Sequence, residues 1–382
     1  MSQEPPKVDL LTRGERFRKT LKRFAFRGTL FYMGYSILLL WWPKQRGFNY
    51  RLGIKGDNDV IVSAHRCGSY DGLENTAATA VHAITKSKPR FLHVDVRSTK
   101  DHVPILVHGD DLSRPCHQGR FTEEFNFKDL PKVVTQEIDI PFMANADGSP
   151  TMYKVKNLDS KKIESLEQLL KALNTTDDPE NRTWLQIEFK GKDEEMIREA
   201  HRLLKEYKRA NRTFWGHVDD EMSIKLKKID YNMPRVASPG EVHTMFIKYW
   251  LFAYPYIARE VHYKAVWFPY VNESFKANLR QQYGSSKYKN VGDGDNWKYR
   301  LRLRLLEFMT MTSGPLFRHL HRCGILVMIG VPNSIEDYED CLKKFNGTVD
   351  CIMTDRPGLA REFLEQRSSK LEKKTEVQPS SI

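Results

Sequence analysis

Cysteine is scarce in this 382-residue chain: Cys67, Cys116, Cys323, Cys341 and Cys351 are odd in number, and none stands at a metal-type spacing from another. That pattern gives no disulfide framework and no cysteine–zinc site, and it leaves the redox compartment unread. Near the N-terminus there is also no apolar run of the roughly 20 residues that carry a helix across a bilayer. The charge-free stretch there, Gly28 to Trp42, has fifteen residues, and no small-residue cleavage site follows Trp42-Pro43, which argues against a removed secretory leader. Acidic residues are few before it: Glu15 stands against Arg13, Arg16, Arg18, Lys19, Lys22, Arg23 and Arg27. No nucleic-acid-binding motif accompanies the net charge of +12, so a nucleic-acid partner is not expected.

A basic cluster next to an apolar segment rich in interfacial aromatics (Tyr32, Tyr35, Trp41, Trp42) is expected to meet anionic lipid. The reading is a basic segment over 1–27 and an uncleaved membrane anchor helix over 28–43, which spans with thinning or snorkelling or else lies in the interface. The heavier basic charge before the anchor predicts a cytosolic N-terminus, with the following domain lumenal if the anchor spans. Endoplasmic reticulum or another endomembrane is the expected location. Sequons at Asn174, Asn181, Asn211, Asn272 and Asn346 are permitted by that orientation.

From residue 60, short β-type runs alternate with helical periodicity: Val60–Ala64, Phe91–Val96, Pro104–His108, Thr183–Phe189, Thr213–His217, Pro234–Ser238, Ala265–Pro269 and Ile325–Val331. Eight such runs predict an α/β fold, a (β/α)₈ TIM barrel over 55–365. Residues 110–157 are too long for a tight connection and read as an inserted segment after strand three. The aromatic stretch 242–257 (VHTMFIKYWLFAYPYI) reads either as a buried barrel helix or as an interfacial patch. Residues 273–300 read as a mobile polar loop and 366–382 as a disordered tail.

Ionisable residues gather where the strands end, which in such a barrel is the mouth. His65-Arg66 follows the first run; His93 and Asp95 share one face of the second because strand side chains alternate; His108 ends the third; Glu188 and Lys190 repeat the i, i+2 spacing on the fourth. Carboxylates for a hard divalent cation, cations for phosphoryl oxygens and a pair of imidazoles make up the inventory for phosphodiester hydrolysis.

The segments HRCGSYDGLENT (65–76), DVRSTKD (95–101), PILVHGDDLSR (104–114), IEFKG (187–191) and IMTDRP (352–357) resemble the glycerophosphodiester phosphodiesterases in order and spacing. The N-terminal basic and apolar segments, TFWG (213–216) and the stretch 242–257 resemble the membrane-bound eukaryotic branch with lysophospholipase D activity. That resemblance implies His65 and His108 as the acid/base pair, Arg66 and Lys190 as phosphate contacts, and His93, Asp95 and Glu188 as metal ligands. Glu74, Asp110 and Trp215 are supporting candidates.

It also implies a phosphoric diester hydrolase acting on glycerophosphodiesters, most specifically lysophospholipids, to give lysophosphatidic acid and a head-group alcohol. Three departures stand out: His93 replaces a glutamate, Cys67 a glycine and Gly109 an aspartate, with Asp110 one residue on. The family metal would be magnesium or calcium; an imidazole at position 93 favours manganese or zinc. The alternative reading is a catalytically silent, membrane-bound lipid-binding barrel with a decayed metal site.

Overall fold

The computed structural model describes residues 12–41, 59–134, 137–144, 150–154, 162–176, 183–253, 263–284, 297–345 and 347–377. Eight named strands follow in chain order: β1 (Ile61–Ala64), β2 (Phe91–Ser98), β3 (Pro104–Leu106), β4 (Trp184–Phe189), β5 (Thr213–His217), β6 (Ala265–Pro269), β7 (Leu326–Gly330) and β8 (Cys351–Thr354). All but β3 run parallel, in the spatial order β6-β7-β8-β1-β2-β4-β5. Single parallel bridges Trp215↔Arg235 and Val236↔Ala265 join the two ends of that path, so the sheet curls into a TIM-barrel-like ring.

Two of the expected strands differ. Pro104–Leu106 pairs antiparallel with β2, because only residues 99–103 separate them and a parallel return needs a crossover of a dozen or more residues. The count is made up by β8, three residues of the segment IMTDRP and the cysteine before them, which lies between β7 and β1. Residues 234–238 contribute bridges rather than a full ladder.

Alternation sorts the side chains. Phe91, Trp184, Phe214, Val236, Leu326, Met328 and Met353 fill the barrel interior, with the Phe91 and Phe214 rings 5.3 Å apart. Leu92, Val94, Leu185 and Ile187 face outward against Leu169, Met196 and Leu203 of the surrounding helices. Each such fully buried side chain contributes about 1.5–3 kcal/mol. The helix Glu194–Glu206 forms because Asp193 caps it, accepting from Glu195 N at 2.9 Å, and because Met196, Ile197, Ala200, Leu203 and Leu204 make one apolar face.

The inserted region contains two antiparallel pairs, Asp111–Leu112 with Gln118–Phe121 and Glu137–Ala144 with Pro150–Lys154. Glu273–Gly284 and Trp297–Arg322 are helices, which corrects the mobile-loop reading at both of its ends; residues 285–296 lie outside the described ones. The last helix, Pro357–Val377, likewise runs through most of the segment expected to be disordered, and 378–382 lie outside the described residues.

The expected anchor finds no support as a membrane span. Residues 28–41 are the second half of one helix, Arg13–Trp41, and no helix among the described residues is long and apolar enough to cross a membrane. Its last turns pack on the domain: Ser36 and Leu40 are buried, and His319 Nδ1 donates to the Leu40 carbonyl at 3.1 Å. Trp42 and Pro43 lie outside the described residues.

Candidate active site

The interior side chains of β2 and β4 climb in step. Above Phe91 and Trp184, His93 is registered with Gln186, and above them Asp95 with Glu188. His93 Nε2 lies 3.3 Å from Glu188 Oε2, and ligand atoms of His93, Asp95 and Glu188 all lie within 4.8 Å of one another. Lys190 reaches back over this group, with Nζ 2.7 Å from Glu188 Oε1 and 3.2 Å from Asp95 Oδ1. Burial opposes ionisation of Asp95, yet Lys190, His108, His93 and Arg66 hold its carboxyl well below the usual range.

The end of β1 turns sharply. Arg66 (φ 49°), Cys67 (φ 69°) and Gly68 (φ 91°) adopt left-handed backbone in succession, which costs about 1–2 kcal/mol at each of the first two. Partners on every side hold the turn: Arg66 NH1 donates to Glu74 Oε2 at 2.9 Å, Arg66 Nε stands 3.6 Å from Asp95 Oδ2, and Asn75 N donates to the Arg66 carbonyl at 3.0 Å. Strain held in this way belongs to sites where geometry is prescribed. Cys67 is fully buried, and burial pushes its thiol far up, so it is an inert packing residue.

His65 is oriented by a network the sequence reading did not contain. Its Nδ1 lies 2.7 Å from Asp355 Oδ1, across 290 residues of chain. Asp355 is itself fixed by Ser69 Oγ at 2.6 Å and Asn333 Nδ2 at 2.8 Å, and it stays ionised: burial opposes this, but His65 and Ser69 hold its pKa to about 2. Burial pushes the His65 pKa down, and Asp355 acts to raise it. His108 is held neutral: burial, then the Arg66 charge, depress it to about 3. Asn75, also new, clamps Asp95, donating to its Oδ2 at 3.1 Å and accepting from its backbone N–H at 3.0 Å.

The remaining candidates separate. Glu74 joins the site as the partner of Arg66 and of Arg114, 3.2 Å away. Asp110 does not join the carboxylates; its side chain is 69% exposed and pairs with Arg97 at the rim. Trp215 is placed behind β5, buried against Phe189 and, 5.5 Å away, His201 of the outer helix layer, because an odd position in that strand faces away from the interior.

A divalent metal fits the donor set. One imidazole and two ionised carboxylates match a divalent charge, and buried Asp95 Oδ1 accepts no hydrogen bond, meeting Lys190 Nζ as an ion pair at 3.2 Å. The carboxylates suit hard ions and the imidazole borderline ones.

Comparison with known proteins accords with this geometry. Residues 65–232 match the model of the glycerophosphoryl diester phosphodiesterase family. The lysophospholipase D GDPD1 of Rattus norvegicus is 25% identical over 80% of this chain and 86% of its own length. The lysophospholipase D GDPD3 of Homo sapiens is 24% identical over 86% and 89%. A glycerophosphodiester phosphodiesterase from Agrobacterium tumefaciens shares the fold, with a TM-score of 0.51 and 16% identity over 79% of this chain and 99% of its own. The matched stretch opens at His65 and takes in the strained turn, the His93–Asp95–Glu188 group and His108, so the site lies within a domain that resembles the glycerophosphoryl diester phosphodiesterases.

Proposed function

We propose that this phosphodiesterase hydrolyses lysophospholipids to a head-group alcohol and lysophosphatidic acid, with glycerophosphodiesters as its water-soluble substrates, cleaved to the alcohol and glycerol phosphate. The observation that carries the reading is the convergence of His93, Asp95 and Glu188 within 4.8 Å, flanked by Arg66 and Lys190. The two lysophospholipases D among its relatives support the lipid substrate.

In this reading Arg66 and Lys190 bind the anionic phosphoryl oxygens; each now rests against a carboxylate that substrate would compete for. Neutral His108 accepts the proton of the attacking water, or of the substrate's own glycerol hydroxyl, in which case the first product is a cyclic phosphate that water opens in a second step. The new oxygen–phosphorus bond forms as the bond to the head-group oxygen breaks. His65 delivers a proton to that departing oxygen; with Nδ1 committed to Asp355, it does so through Nε2, and the carboxylate stabilises the imidazolium. His93, Asp95 and Glu188 would hold a divalent cation, which supplies Lewis-acid stabilisation of charge on the phosphoryl oxygens. With imidazole in the set, manganese or zinc is preferred over magnesium or calcium.

The helix Arg13–Trp41 is read as an interfacial element on an endomembrane, its Arg and Lys side chains among anionic head groups and its exposed Phe24, Phe31 and Leu38 toward the acyl region. The test is incubation of the full chain with lysophosphatidylcholine and each of the four metals, beside His65→Ala. The reading expects choline and lysophosphatidic acid, and at least a hundredfold loss in the variant. Phosphocholine and monoacylglycerol as products, or equal turnover by the variant, would sink it.

A further inference from the structure

The helix Trp297–Arg322 is longer than the barrel needs. Its 26 residues extend about 39 Å, against about 17 Å for the five residues of β7, and its two halves differ in burial. In the second half Met309, Ser313, Leu316, Phe317, His319 and Leu320 are buried; before residue 309 only Leu306 is. The first half nonetheless carries an apolar stripe on its outer side: Trp297, Leu301, Leu305 and Phe308 recur at i, i+4, i+8 and i+11, all exposed, and Met311 extends the stripe at 83% exposure.

At 3.6 residues per turn, Arg300 and Arg304 line one edge of this stripe and Lys298 and Arg302 the other, all four exposed. The neighbouring helix Pro239–Trp250 continues the surface. Trp250 packs against Phe308 with ring centroids 5.1 Å apart and donates to Thr312 Oγ1 at 3.2 Å, leaving Ile247 and Leu251 exposed beside it and Lys248 half-exposed. Acids are few across the two helices: Glu241 binds Arg235, and Glu307 lies 3.6 Å from Lys276.

An exposed apolar stripe edged by cations on both sides, on helices that themselves carry few acids, has the composition of a helix lying in a membrane interface. We propose that Trp297–Met311, with Ile247 and Leu251, is a second lipid-docking face that seats the barrel on an anionic bilayer independently of the N-terminal helix. The docking rests on the lipid-substrate reading above only for its purpose. Lysophospholipid leaving such a surface reaches the mouth without crossing bulk water.

The test uses the full chain with Met311→Cys labelled by an environment-sensitive fluorophore, which is selective because the five native cysteines are all buried. Vesicles of phosphatidylcholine with phosphatidylserine should shift the probe emission to the blue, and phosphatidylcholine alone should do so weakly. The double variant Leu301→Ser, Phe308→Ser should lose about tenfold in vesicle partitioning and in turnover of vesicle-borne lysophosphatidylcholine, while glycerophosphocholine turnover stays unchanged. Co-sedimentation with an unmoved probe, or unaltered partitioning of the double variant, overturns the proposal. A responding probe and reduced partitioning in a chain that cleaves neither substrate uphold the docking face and defeat the substrate reading instead.

Discussion

The residue with the most leverage and the least visibility is Asp355. It touches His65 and not the reacting atoms, so it is a positioning residue. Asp355→Asn keeps the shape but removes the charge that stabilises the imidazolium, and with its one acceptor oxygen toward His65 and Ser69 its NH2 group meets the Asn333 Nδ2 donor. A fall in kcat of about a hundredfold is expected, with little change in KM for glycerophosphocholine; an unchanged kcat would mean His65 needs no carboxylate. His93→Glu should move the metal preference toward magnesium or calcium, and a profile identical to that of the unsubstituted protein would take position 93 out of the metal set. Of the site, the part carried by strand periodicity was legible in the sequence: His93 with Asp95, and Glu188 with Lys190, are two apart and face one way. What was not legible is what joins distant segments. Asp355 lay inside a motif of evident resemblance, yet nothing local connects it with His65 across 290 residues. Asp110 and Trp215 lie apart from the carboxylate group for the converse reason, since closeness in sequence to a site motif does not fix which way a side chain points.

At the scale of elements, the barrel was readable as an alternation of strands and helices, but its strand list was not. An apolar run such as Pro104–Val107 looks the same whether it pairs parallel or antiparallel, and the five-residue link before it decides the matter. Closure depends on a segment that barely forms a strand. Arg235, whose side chain is buried, bridges β5 and donates bidentately to Glu241, at 2.7 Å and 2.6 Å, while Glu241 also completes the capping box of the helix after Ser238. Glu241→Ala leaves that guanidinium without its carboxylate and should cost about 3 kcal/mol in chemical denaturation; a loss below about 1 kcal/mol would remove the pair from the closure. Burial raises the Glu241 pKa, and the Arg235 and Ser238 hydrogen bonds outweigh it to leave the carboxyl below its ordinary value. Its contribution is therefore complete above the ordinary carboxylate pKa and is lost as pH falls through the depressed folded value. Glu241→Gln should flatten that acid limb of the stability profile; an unaltered limb would assign it to other carboxylates.

For the whole molecule, the basic N-terminal segment was legible and its spanning was not supported, because helix Arg13–Trp41 ends by packing Ser36 and Leu40 on the domain. An interfacial helix of this charge should bind anionic vesicles in a salt-dependent way. Replacing Arg16, Lys19, Arg23 and Arg27 by glutamine should cut that binding at least tenfold, and salt-independent binding would contradict the electrostatic part of the account. The central proposal is that His93, Asp95 and Glu188 form one divalent-cation site serving phosphodiester cleavage. The direct measurement is manganese bound per chain, by calorimetry, for the protein and for Asp95→Asn, alongside glycerophosphocholine hydrolysis before and after chelation. The account predicts a single tight equivalent, lost together with hydrolysis in the variant and on chelation. Undiminished binding in Asp95→Asn, or hydrolysis that survives complete metal removal, would contradict it.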